Sequence, residues 1–167
     1  PDLASMVSRR IPPTLLTPHP GEAARLLGMG IADIQANRSD AARRLRAQAK
    51  ARPRRVLLAE AQDPRVLEAA KILEKDKLVV PVLPDAPDLA TFEGRVDDTL
   101  AVVLAKQGLD AVEQARKDPL QRAAVLLRLG AVDAAVAGSI ATTANVLRCG
   151  LRGVGLAPGV KLVSSFF

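Results

Sequence analysis

From Val56 onward the chain alternates short apolar runs with stretches of helical spacing, and this alternation constrains the fold more than any other feature. Val56-Leu57-Leu58-Ala59 is short and continuously apolar, as in a parallel strand buried on both faces. Asp63-Pro64 follows, a carboxylate N-cap with proline at the first helical position, and Val66, Ala70 and Leu73 recur at helical spacing behind it. Leu78 to Leu83 reads as the next strand, with Pro81 best placed at an edge. Pro84 to Gly94 reads as an irregular polar loop.

The Asp-Pro device returns at Asp118-Pro119, opening a helix whose Leu120, Ala124 and Leu127 share a face and whose C-cap is Gly130. Ala131 to Ala137 is a further strand, Gly138-Ser139 a turn, residues 142–152 a helix, and Val160 to Ser165 a last strand. Strand, helix, strand in this order implies right-handed crossovers. The expected fold class is a three-layer α/β/α arrangement with a mostly parallel sheet. An edge left by the last strand favours pairing with a second chain, so a homo-oligomer, or else partial disorder at that end, is expected.

The first third differs. Residues 1–55 hold 11 Lys+Arg against 4 Asp+Glu, a balance of +7, while the rest of the chain stands at −1. A boundary is drawn near Pro53, giving segments 1–53 and 54–167, the first mainly helical. In it, Ile11 to Thr17 suggests a short strand and Pro18 to Glu22 a turn-rich knot. A short helix over 21–27 ends at Gly28. A longer one runs from Ile31 to Ala51, with Ile34, Ala41, Ala42, Leu45 and Ala49 as its apolar stripe. The basic run Arg43 to Arg55 reads as a solvated helix whose last turn carries cations that suit the dipole. No helix-turn-helix, zinc ligand set or aromatic pair accompanies it, and with three Phe and no Tyr or Trp the chain lacks stacking platforms for nucleic acid.

No apolar run of about 18 residues predicts a membrane span, and no leader pattern is seen. One cysteine excludes an internal disulfide, and the single histidine, His19, cannot alone make a metal site. A cytoplasmic protein without a metal is the expectation.

Chemistry is best placed at Gly138-Ser139-Ile140-Ala141-Thr142-Thr143, where a predicted parallel strand ends and a helix begins. Open α/β sheets bind ligands at that edge. Gly138 permits close backbone approach. Ser139, Thr142 and Thr143 offer hydroxyls beside orphan N–H groups, a setting suited to phosphate. On the helix, Asn145, Arg148 and Arg152 share a polar face, while Ala144, Leu147 and Leu151 are expected to be buried. Arg148 has the fork geometry for a phosphate or carboxylate. Glu60 and Asp63, at the end of the first strand, are candidates for the same edge, with helix capping the stronger role for Asp63. Ordinary capping by the Ser and Thr residues is the plainer alternative. Cys149 reads as a packing residue.

Two resemblances extend this reading. Arg55 to Leu73, Asp118 to Gly130, Val132 to Ser139, Thr142 to Arg148 and Ala157 to Phe167 resemble, in order, the N-terminal half of the phosphate acetyltransferase (phosphotransacetylase) family. The resemblance implies transfer of an acyl group between acyl phosphate and coenzyme A in a cleft between two domains, with Arg148 at the phosphate or substrate. It also implies that the catalytic residues lie on a second domain, so that this polypeptide alone is expected to be inactive. The family's arginine in a Leu-Arg-Lys-type segment is replaced here by Val103-Leu104-Ala105-Lys106-Gln107-Gly108. Leu15 to Gly28 and Ile34 to Arg38 resemble ADP-dependent NAD(P)H-hydrate dehydratase of the ribokinase-like fold. That resemblance places Thr17, His19, Gly21 and Glu22 beside its substrate site, although the family's nucleotide and catalytic loops do not follow. Three readings stand together: a phosphate acyltransferase half, a non-catalytic chimera or remnant binding phosphate or nucleotide, and a dehydratase fragment.

Overall fold

Residues 27–156 are described by the structure, a computed structural model. Three parallel strands form the centre: β1 (Arg55–Leu58), β2 (Val80–Val82) and β3 (Ala134–Val136), in the order β2-β1-β3. Val56 pairs with Pro81 on one side and Ala134 on the other, so Pro81 lies on an outer strand, where its missing N–H costs no central ladder bond. Helices complete the three-layer α/β/α arrangement: α1 (Ile31–Ala36), α2 (Arg38–Ala51), α3 (Pro64–Lys75), α4 (Glu93–Val103), α5 (Leu109–Lys117), α6 (Pro119–Arg128) and α7 (Thr143–Gly153).

Both Asp-Pro devices work as expected. Asp63 and Asp118 accept the backbone N–H of Arg65 and Leu120, each at 2.9 Å, and start α3 and α6. Pre-set proline φ and a satisfied first-turn donor make these two starts legible from local chemistry. The α6 helix ends at Arg128 with Leu129 as its C-cap, not the expected Gly130, which follows one residue later at φ +72°.

The main core joins Leu57 of β1 and Val82 of β2 to Val96, Leu100, Val112, Val125 and Leu126 of the helices. Successive strand residues face opposite ways. Leu58 is accordingly buried outside that cluster.

Three expectations need correction. The stretch 84–94 is not a polar loop: Pro87–Phe92 forms a 3-10 turn that leads into α4, and Leu89 is 1% exposed within the main core. Its prolines preset the turn rather than loosening it. The helix expected over 31–51 is broken at Asn37 (φ −137°), whose side chain accepts from the Asp40 N–H at 3.1 Å and caps α2. A capping side chain outcompeted helical continuity there. Ala42 of the expected stripe is exposed, whereas Ile34 and Ala41 form a small separate cluster with Leu27 and Met29.

In the basic run, Arg43 and Arg44 pair with Asp40, Arg46 with Asp76, Arg54 with Asp133 and Arg55 with Asp88. Exposed pairs of this kind contribute about 0–1 kcal/mol each. Among the described residues no helix is long and apolar enough to cross a membrane. The strand expected at Val160 to Ser165 and everything expected before Leu27 lie outside the described residues.

Candidate functional site

Parallel pairing brings the carboxyl ends of β1 and β3 to one edge, and the loops that leave them meet there. Glu60, two residues past β1, is 2% exposed. Its Oε2 accepts the N–H of Gly138 (2.6 Å) and Ser139 (2.7 Å), and its Oε1 those of Ile140 (3.0 Å) and Ala141 (2.7 Å). Four consecutive amides therefore converge on one carboxylate, an arrangement that suits an anion. Gly138 opens the turn at φ +104°, where a side chain is strained although an added Cβ would meet only Val146 Cγ2, at an ordinary 3.7 Å. Burial pushes the Glu60 carboxyl up, but the four donors outweigh it and hold the group below its ordinary value.

A second carboxylate ties the loops together. Asp63, 5% exposed, receives a bidentate fork from Arg65 (Nε at 3.1 Å, Nη2 at 2.7 Å) and the Ser139 hydroxyl. Arg65 Nη2 also reaches the Ser139 carbonyl (3.1 Å) and hydroxyl (3.2 Å). Arg65 first, then Ser139, hold Asp63 well below the usual carboxylate range, and Asp63 in turn raises the Arg65 guanidinium.

These bonds have a pH signature. Both carboxyls are lower in the folded protein than their unfolded values, about 4.3 for Glu and 3.9 for Asp. Their stabilisation is complete above those values and lost as pH falls through the folded ones. Urea midpoints are expected to hold steady from about pH 7 to 5 and to drop below about pH 4. Glu60→Gln removes part of that slope; identical acid profiles for both proteins would contradict the assignment.

The predicted site residues divide into two groups. Gly138 and Ser139 turn their amides inward to Glu60, so they are not open to an external phosphate. The Ser139 hydroxyl is likewise spent on Asp63. Thr142 caps α7, its Oγ1 accepting the Asn145 N–H at 3.3 Å. Thr143 is exposed in the first turn, and the N–H groups of Thr143 and Ala144 find no backbone partner among the described residues, as expected at a helix start. Arg148 is exposed and, among the described residues, donates only a long 3.5 Å bond to Asn145 Oδ1. Thr17, His19, Gly21 and Glu22 lie outside the described residues.

The expected inner face of α7 is overturned. Ala144, Leu147 and Leu151 are exposed, and Cys149 and Gly153 are buried against α6 instead. The reason is the close crossing of α6, where Ala124 sits against Gly153. Small residues set this contact, and apolar spacing alone pointed to the leucines. Burial first, then the charge of Asp118, pushes the Cys149 thiol up, which fits packing rather than nucleophilic chemistry. Lys106, in the segment that replaces the family's Leu-Arg-Lys, is exposed in a 3-10 turn between α4 and α5. Nearby Ala105, Leu109 and Val112 line an open groove of about 350 Å³, separate from the Gly138–Arg148 turn.

Missed in sequence was the role of Glu60 as the turn's own anion. Its burial and long-range pairing carry no local spacing signal.

Residues 95–167 match the family model described as phosphate acetyl/butaryl transferase. A phosphate acetyltransferase of Paracoccus denitrificans is 38% identical over 138 residues, covering 74% of this chain and 43% of that protein. Over the matched residues the chain is similar to the phosphate acetyltransferase family. A second such enzyme, from Acetivibrio thermocellus, is 30% identical over 142 residues, 72% of this chain and 43% of its own length. A third, from Treponema pallidum, is 53% identical over 51 residues, 30% of this chain and 15% of that protein. The chain thus spans less than half the length of these phosphate acetyltransferases.

Proposed function

We propose that the chain takes part in acyl transfer between an acyl phosphate and coenzyme A, and that the start of α7 binds the phosphate end. One observation carries the reading. At the ligand edge of the sheet, Glu60 satisfies the turn amides, while the Thr143 and Ala144 amides, the exposed Thr143 side chain and the Arg148 guanidinium stay available.

In such a transfer the coenzyme A thiolate attacks the acyl carbonyl carbon, the carbon–oxygen bond to phosphate breaks, and phosphate leaves with the electron pair. A helix start and a planar guanidinium both favour that leaving charge. The base for the thiol and the donors for the carbonyl oxygen are expected on the family's second domain, so residues 138–148 supply binding and orientation. We draw the boundary between a basic helical segment and this domain near Pro53.

Calorimetric titration with acetyl phosphate and with inorganic phosphate tests the reading. Arg148→Ala is expected to weaken both by about tenfold, the loss of roughly one charge-assisted hydrogen bond. Unchanged affinity in the folded variant would overturn it.

A further inference from the structure

Four amide donors on one buried carboxylate exceed what is needed to hold a turn. A single backbone bond or a water commonly does that. The Glu60 bonds span residues 138 to 141, and the next residue is the N-cap of α7. The orientation of the first turn of α7 is therefore set by a group that sits 78 or more residues earlier in the chain. The same carboxylate fills the concavity that a free anion would otherwise enter.

The geometry points to Glu60 as a positioning residue: an internal anion that occupies the Gly138–Ala141 amides and so directs an external phosphate to the start of α7. This rests on the phosphate reading above and goes one step further. It assigns the two adjacent sets of amides to two different anions, one built in and one exchanged. Asp63 and Arg65 brace the arrangement from the other side, since the Ser139 hydroxyl and carbonyl are held by that pair.

A merely structural Glu60 and a positioning Glu60 differ in what a small carboxylate can restore. In Glu60→Ala the four amides lose their partner but keep their convergence, leaving room for formate. Phosphate affinity is expected to fall by about tenfold or more, the range seen when a group that orients ligands at a metal site is removed. Millimolar formate is expected to return that affinity and to shift the Gly138–Ala141 amide resonances. In Glu60→Gln the side chain still fills the space but turns an NH₂ toward two donors. That variant is expected to bind phosphate weakly with no response to formate, even where circular dichroism shows it folded.

Wild-type phosphate affinity in folded Glu60→Gln, or a folded Glu60→Ala indifferent to formate, would overturn the proposal. If Glu60→Ala folds only when formate is present, Glu60 holds the turn together and nothing more, and the proposal is overturned. Failure of both variants to fold even with formate would make Glu60 a structural residue alone and would overturn it. The two readings fail separately. Loss of phosphate binding at α7 in the wild type would sink the functional reading, whereas the formate shifts at residues 138–141 need no phosphate.

Discussion

Leu89→Ala is expected to cost about 2–5 kcal/mol of stability, the range for deleting a buried leucine side chain where the surroundings cannot collapse. Leu89 is 1% exposed and belongs to the core cluster that includes Val82, Val96 and Leu100. It is the residue that converts the Pro87–Phe92 turn from a connection into part of the fold, because α4 starts directly behind it. Urea unfolding followed by circular dichroism reads the change in midpoint. A loss of under about 1 kcal/mol, typical of a substitution outside the core, would mean that the segment behaves as the surface loop its composition suggests.

A smaller loss is expected at Gly153, for the opposite reason. A Cβ placed there clashes with the Ala124 Cβ and meets the Ala124 carbonyl carbon at 3.1 Å and the Val125 nitrogen at 3.2 Å. Two of those neighbours are backbone, so no side-chain rotation relieves them. Alanine in place of glycine inside a helix gains up to about 1 kcal/mol. Overpacking of a tight contact costs about 1–3 kcal/mol, sometimes more. The second term wins, and Gly153→Ala is expected to destabilise the protein and displace α7 from α6. Gly150→Ala is the matched control. Nothing lies within 4 Å of its added Cβ, so only the propensity gain remains and stability is expected to hold or rise. Equal effects at both glycines, on the same urea curve, would contradict the close crossing of α6 and α7.

What the sequence revealed, and what it hid, follows from the range of the forces involved. The two Asp-Pro starts, the three described strands and the outer position of Pro81 rest on local chemistry, and local chemistry is visible in the order of residues. The helix start at Thr142 was legible for the same reason. The inner face of α7 was not, because Gly153 and Cys149 are chosen by the approach of a different helix. Leu147 and Leu151 satisfy helical periodicity yet stay exposed. Leu89 was hidden by the prolines and aspartates around it. At the site itself, small hydroxylated residues suggested an external phosphate, whereas the anion held by the Gly138–Ala141 amides is the chain's own. Its identity as Glu60 depends on a contact some 80 residues away in the chain, which no spacing rule reaches.

In the proposed arrangement this sheet edge holds one anion permanently and accepts a second at α7. Backbone amide shifts of the wild-type protein, followed during titration with inorganic phosphate, test it most directly. The largest movements are expected at Thr143 and Ala144, with a shift of the Arg148 guanidinium and little change from Gly138 to Ala141. Shifts concentrated at Gly138–Ala141, with Thr143 and Ala144 unmoved, would mean that phosphate displaces Glu60 and that the account is wrong.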